Sequence, residues 1–95
     1  MNALFEEISN VLRRMRNNGI GNQEREMLMY YAKAIQSVIQ LEEDAASKLA
    51  RVGNALNGRA MYNLIEANNQ LVRAKKREIE NWENLYNEVR RLMNN

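Results

Sequence analysis

Residues 54–60 read NALNGRA, and they stand between two long stretches that each carry the spacing of a single helix. From Leu28 the apolar seam runs Leu28, Tyr31, Ile35, Val38, Glu42, Ala45, Leu49, Val52, Leu56, a heptad pattern with one carboxylate set into it. Beyond the segment it runs Met61, Ile65, Asn68, Val72, Lys75, Ile79, Trp82, Tyr86, Val89, Met93. The step from Leu56 to Met61 is five, neither three nor four, so the seam loses phase inside NALNGRA. An Asn57-Gly58 pair lies in that gap, and the combination reads as a turn closing a helical hairpin.

A second reading competes with the first. Ala60, Leu64, Ala67, Leu71 and Ala74 form another seam that would carry one helix through the segment as a rod of about 70 residues and about 105 Å. That seam fails at Glu78 and Asn81, which favours the hairpin.

The segment ahead of the hairpin predicts a short first helix from about residue 3 to 17, capped by Asn2. Glu6 and Glu7 suit its positive end, Arg13, Arg14 and Arg16 suit its negative end, and Gly19 stops it. Its seam is Phe5, Ile8, Leu12, Met15. Two glycines within NNGIGNQERE mark a turn, with Asn22 as the expected cap of a second helix over 22–56 and a third helix over 59–93. The expected architecture is all-α: one domain over 1–95, a short N-terminal helix packed on a long antiparallel two-helix hairpin.

Composition agrees with that architecture. The 95 residues contain no Pro, Cys, His or Thr and a single Asp, Asp44, so most residues that break or compete with a helix are missing. Lack of Cys removes disulfides, thiolate nucleophiles and the usual zinc sites, and lack of His removes the commonest general base. No catalytic residue, cofactor or metal ligand is expected. Glu42, Glu43 and Glu66 lie on helices of the kind that build di-metal bundles, but such sites ordinarily need Glu-x-x-His. The start MNALFEEISNVLRRMR lacks the apolar core of a signal peptide, and the longest apolar run, MLMYYA at 27–32, is too short to span a bilayer. A soluble protein of a reducing compartment is expected, cytoplasmic or part of a larger assembly.

If the turn centres near residue 57, seam partners are Leu28 with Tyr86, Tyr31 with Trp82, Val38 with Lys75, Glu42 with Val72, Ala45 with Asn68, and Val52 with Met61. The first helix then sets Phe5 against Ile35, Ile8 near Tyr31 and Leu12 against Leu28, covering the half that holds Trp82. The polar seam residues Glu42, Asn68 and Lys75 either fix register, as a buried Asn does in coiled coils, or drift outward to water.

Between about 40 and 73 two helices stand without a third, and two helices cannot cover both of their apolar stripes. A second copy would cover them by two-fold symmetry through Leu41, Ala45, Leu49, Val52, Leu64, Ile65, Asn68 and Leu71. The function expected from this pattern is non-catalytic: self-association, or an adaptor or scaffold role toward a larger protein partner, through helix-to-helix contacts. The alternative is a small dimeric nucleic-acid-binding regulator that uses Arg13, Arg14, Arg16, Arg25, Arg90 and Arg91, six guanidinium groups expected at one end. Against that alternative stand a net charge of only +2 and the acidic residues Glu24, Glu26 and Glu88 interspersed among the arginines.

Overall fold

A computed structural model describes residues 2–56 and 61–94. The described residues form three helices, α1 (Ala3–Asn18), α2 (Asn22–Ala55) and α3 (Tyr62–Met93). The Asn57-Gly58 turn expected from the sequence lies outside the described residues. Helices α2 and α3 pack along one another as the two limbs of a hairpin. A continuous rod would measure about 105 Å, and the molecule measures 59 × 19 × 18 Å.

Local chemistry sets the helix ends. Asn2 Oδ1 accepts a hydrogen bond from the Phe5 N–H at 2.9 Å, satisfying one of the donors that a helix start leaves open. At the other end of α1, Gly19 adopts φ 88° and donates its N–H to Met15 O at 2.9 Å, a left-handed stop that a side chain would resist. The start of α2 departs from expectation: Gly21, not Asn22, is the capping residue, and no side chain bonds the end. Gly21 reaches an extended backbone and its carbonyl accepts from Arg25 N at 3.0 Å, so Asn22 is drawn in as the first helical residue.

The core occupies the base of the hairpin. Ile8, Leu12 and Met15 of α1, Leu28, Ala32 and Ile35 of α2, and Trp82, Leu85, Val89 and Leu92 of α3 form one buried cluster. Phe5 meets Trp82 edge to face, with ring centroids 5.1 Å apart and planes at 85°. This contact corrects the expected docking of α1. The residues facing α1 lie largely on α3, Trp82 and Leu85 against Phe5 and Leu12, with Arg16 paired to Glu88 at 2.9 Å.

The hairpin register also differs from the expected one, by four residues on α2. Lys75 Nζ donates to Glu42 Oε2 at 2.9 Å, where Val38 was expected opposite Lys75. Asn68 Nδ2 donates to Leu49 O at 2.8 Å, where Ala45 was expected opposite Asn68. A shift of one helical turn preserves the apolar layers, since these repeat every three or four residues: Leu28 now lies level with Val89, and Ile35 with Trp82. Only the polar positions distinguish the two registers. In the expected one Glu42 and Lys75 each face valine; in the observed one they face each other.

Candidate interaction surface

The apolar surface that matters follows from a seven-residue series on α3: Leu64, Leu71, Glu78, Leu85, Leu92. These residues share one face of the helix, because seven residues are nearly two turns. At the base α1 lies on that face. Leu85 lines a groove with Phe5, Ser9 and Leu12, and Leu92 lines another with Met15 and Ile20. Leu85 and Leu92 are accordingly 7% and 5% exposed. Toward the tip nothing among the described residues covers the same face, and Leu64 and Leu71 are 57% and 56% exposed. Identical residues on one stripe thus differ eightfold or more in exposure, and α1 is the cause.

A parallel series on α2 behaves alike. Met27 faces Val11 and Met15 of α1 and is half-buried, Ala34 is half-buried, and Leu41 is exposed. In an antiparallel pair the positions just before each seam residue fall on the same side of both helices. Leu41 of α2 therefore shares a face with Leu64, Ala67, Leu71 and Ala74 of α3, and the seam residues Ala45 and Val52, within about 40° of Leu41 around the helix, border that face. The arm of the hairpin, over about residues 40–55 and 62–77, presents a largely apolar face, with Lys48 and Glu78 set into it, that runs on from the face α1 covers.

The residues singled out from sequence divide between this face and the seam. Leu41, Val52, Leu64 and Leu71 are exposed on the arm, and Ala45 is half-buried beside them. Leu49, Ile65 and Asn68 lie elsewhere. Leu49 and Ile65 are half-buried, and Asn68, only 6% exposed, is enclosed within the hairpin by its bond to Leu49 O. Asn68 also faces Gly53, where an added Cβ would come within 2.7 Å of Nδ2. Asn68 is thus a residue of the seam and not of the outer face. The face includes Ala67 and Ala74 in its place. Their signal was present in the sequence as the second seam, which reads as the core of a rod if the chain is straight and as an outer stripe once it turns.

The polar seam carries the arm's electrostatics. Lys75 bridges Glu42 at 2.9 Å and Glu78 at 3.3 Å, and its side chain is 25% exposed. The hydrogen bond that Lys75 donates holds the Glu42 carboxyl below the usual carboxylate range against the opposing effect of burial. The bond to Glu42 correspondingly raises the Lys75 ammonium above the usual lysine range. The lowered carboxyl contributes stability that disappears as pH falls through its folded value, and the raised ammonium contributes stability that disappears as pH rises through its own. The pair is therefore intact across the neutral range.

Of the six arginines, Arg13, Arg16, Arg25 and Arg91 gather about Glu88 and the groove adjoining it, while Arg14 and Arg90 line other grooves. Glu88 takes both Arg16, at 2.9 Å, and Arg91, at 3.0 Å. Arg13 donates to Asn10 at 3.4 Å within α1, Arg14 shares a groove with Glu24, and Arg25 shares one with Arg16. Arg90 lies on a different side, beside Lys33 and Gln36. Among the described residues, every buried side-chain nitrogen and oxygen has a hydrogen-bond partner, no group of three or more acidic side chains is placed to hold a metal ion, and no helix is long and apolar enough to cross a membrane. The grooves beside α1, of 220 and 300 Å³, are open troughs between helices; the first holds Arg14 with Glu24 and the second Arg13 with the Arg16–Glu88 pair. Comparison with protein-family models, curated proteins and solved structures gives no match for this chain.

Proposed function

We propose that this protein is a non-catalytic assembly or scaffold protein that acts through helix-to-helix contacts made by the apolar face of its arm. One observation carries the reading: the stripe that α1 buries at Leu85 and Leu92 continues uncovered through Leu71 and Leu64. An amphipathic stripe is stable in water when another element covers it, and two helices alone leave theirs open. At the base the chain supplies the cover itself. On the arm a partner supplies it, either another copy or a helix of a larger protein.

The test places charge on the outer face while sparing the seam. Leu64→Glu with Leu71→Glu leaves Leu49, Ile65 and Asn68 untouched, so the hairpin keeps its internal packing. The expected result is helical content close to that of the parent by circular dichroism, with a mass in solution reduced from oligomer to monomer by light scattering. A parent that is monomeric at every concentration and binds no helical partner overturns the reading.

A further inference from the structure

We infer that the occupant of the arm face is a second copy of this chain, inverted, so that the two arms overlap and the two three-helix bases point in opposite directions. This rests on the assembly reading above and adds to it the partner, its orientation and the closure of the complex.

Orientation follows from α1. This helix stands on the same face at the base and adds about 10 Å of thickness there. Two copies laid face to face with their bases together would be propped apart by α1 against α1, and the arms would not touch. Inversion removes the obstruction: the arm of each copy fills the step that the other's α1 leaves. The lengths agree, since the uncovered arm from residue 40 to 55 spans about 24 Å along the axis and so does the arm laid upon it.

The residues of the face are arranged to match themselves when inverted. On α3 they alternate Leu64, Ala67, Leu71, Ala74. An inverted copy sets Leu64 against Ala74 and Leu71 against Ala67, large into small along the whole contact. The point about which this pattern inverts is level with Asn69. In the register fixed by Glu42–Lys75 and Leu49–Asn68, Asn69 is level with Lys48 on α2. Inversion about Lys48 sets Leu41 against Ala55 and Asp44 against Val52, with Arg51 of the other copy next to that valine and within reach of Asp44, a pair that occurs twice by symmetry. Asp44 and Arg51 are both exposed on the rim of the face. Lys48, at the symmetry axis, has a stem long enough to carry its ammonium to water. One two-fold axis, level with Asn69 on α3 and with Lys48 on α2, thus serves both helices.

A two-fold contact of this kind uses the same surface on both copies and closes on itself, so it forms a dimer and not a filament. The dimer is a rod of roughly 95 Å, from two 59 Å molecules overlapping by about 24 Å. It presents two identical arginine-bearing bases at its poles.

The chain contains no cysteine, so a single introduced thiol reports one position. Lys48→Cys and Asn17→Cys, both at exposed sites, are each treated with a short bismaleimide, and mass in solution is measured alongside. The expected result is a dimer by mass, with most of the Lys48→Cys chain converted to covalent dimer and no conversion of Asn17→Cys. A dimer in which Asn17→Cys links, or Lys48→Cys does not, overturns the inverted pairing and leaves the assembly reading standing. Mass that grows past the dimer with concentration overturns closure. Monomer throughout overturns this inference, and with no helical partner bound it overturns the assembly reading as well.

Discussion

Asn68 and Gly53 show how one buried polar residue constrains its neighbour on the facing helix. Glycine within a helix costs about 1 kcal/mol relative to alanine, so its presence in α2 asks for a reason. Asn68 supplies one: a Cβ on residue 53 would lie 2.7 Å from its Nδ2. Gly53→Ala gains the helix propensity but displaces the amide from Leu49 O, leaving a buried donor unpaired at a cost of about 1–3 kcal/mol. Net destabilisation of about 1 kcal/mol is expected, measured by urea unfolding. Adding Asn68→Ala to that variant removes the obstruction and is expected to recover stability relative to Gly53→Ala alone. A single variant more stable than the parent would contradict the close contact. The glycine was visible in the sequence, but its partner was not, since Asn68 comes opposite Gly53 and Leu49 only in the observed register.

At the scale of helices, the sequence was most informative about phase and least informative about slide. The five-residue step at NALNGRA, the glycines at 19 and 21 and the Asn2 cap together specify three helices, because each feature acts within a turn or two of itself. Register is a longer-range property. Apolar layers on α2 and α3 repeat every three or four residues, so sliding by one turn refills each layer, and centring the turn on Asn57 selected the wrong one. The polar residues discriminate, through Lys75 with Glu42 and Asn68 with Leu49 O. The docking of α1 was obscured for a related reason: Leu85 and Leu92 lie off the α3 seam, and their burial depends on a helix from elsewhere in the chain. That dependence gives a paired test within one stripe. Leu85→Ala empties a site enclosed by Phe5 and Leu12 and should cost about 2–5 kcal/mol. Leu71→Ala, on the same stripe of the same helix, should stay within about 0.5 kcal/mol when unfolding is followed in dilute solution, where assembly contributes least. Equal costs at the two positions would mean that α1 does not divide the stripe.

For the molecule as a whole, the competing reading is nucleic-acid binding through the arginines of the base, and the charge arrangement bears directly on it. Affinity for duplex falls with salt by a slope of about 0.9 per phosphate neutralised. Six converging guanidinium groups would therefore give a slope steeper than about −4, with strong retention at low salt. The base does not offer six together. Glu88 engages Arg16 and Arg91, Arg14 stands beside Glu24, and Arg90 faces a different side beside Lys33. Along the arm, Arg73 is paired with Glu66 at 3.3 Å, and Lys75 is held between Glu42 and Glu78. A binding site for phosphate must first break such pairs, and each break returns part of what the contact gains. Inverting two copies does not repair this, since it sends the two bases to opposite poles and joins no arginines. Fluorescence anisotropy with a short duplex and with single-stranded RNA, titrated in salt, is expected to give weak binding at low ionic strength, a slope no steeper than about −2, and none detectable near physiological salt. Tight binding that survives physiological salt with a slope beyond −4, and that falls on Arg13→Ala with Arg14→Ala while the mass in solution stays unchanged, would transfer the function from the arm to the base.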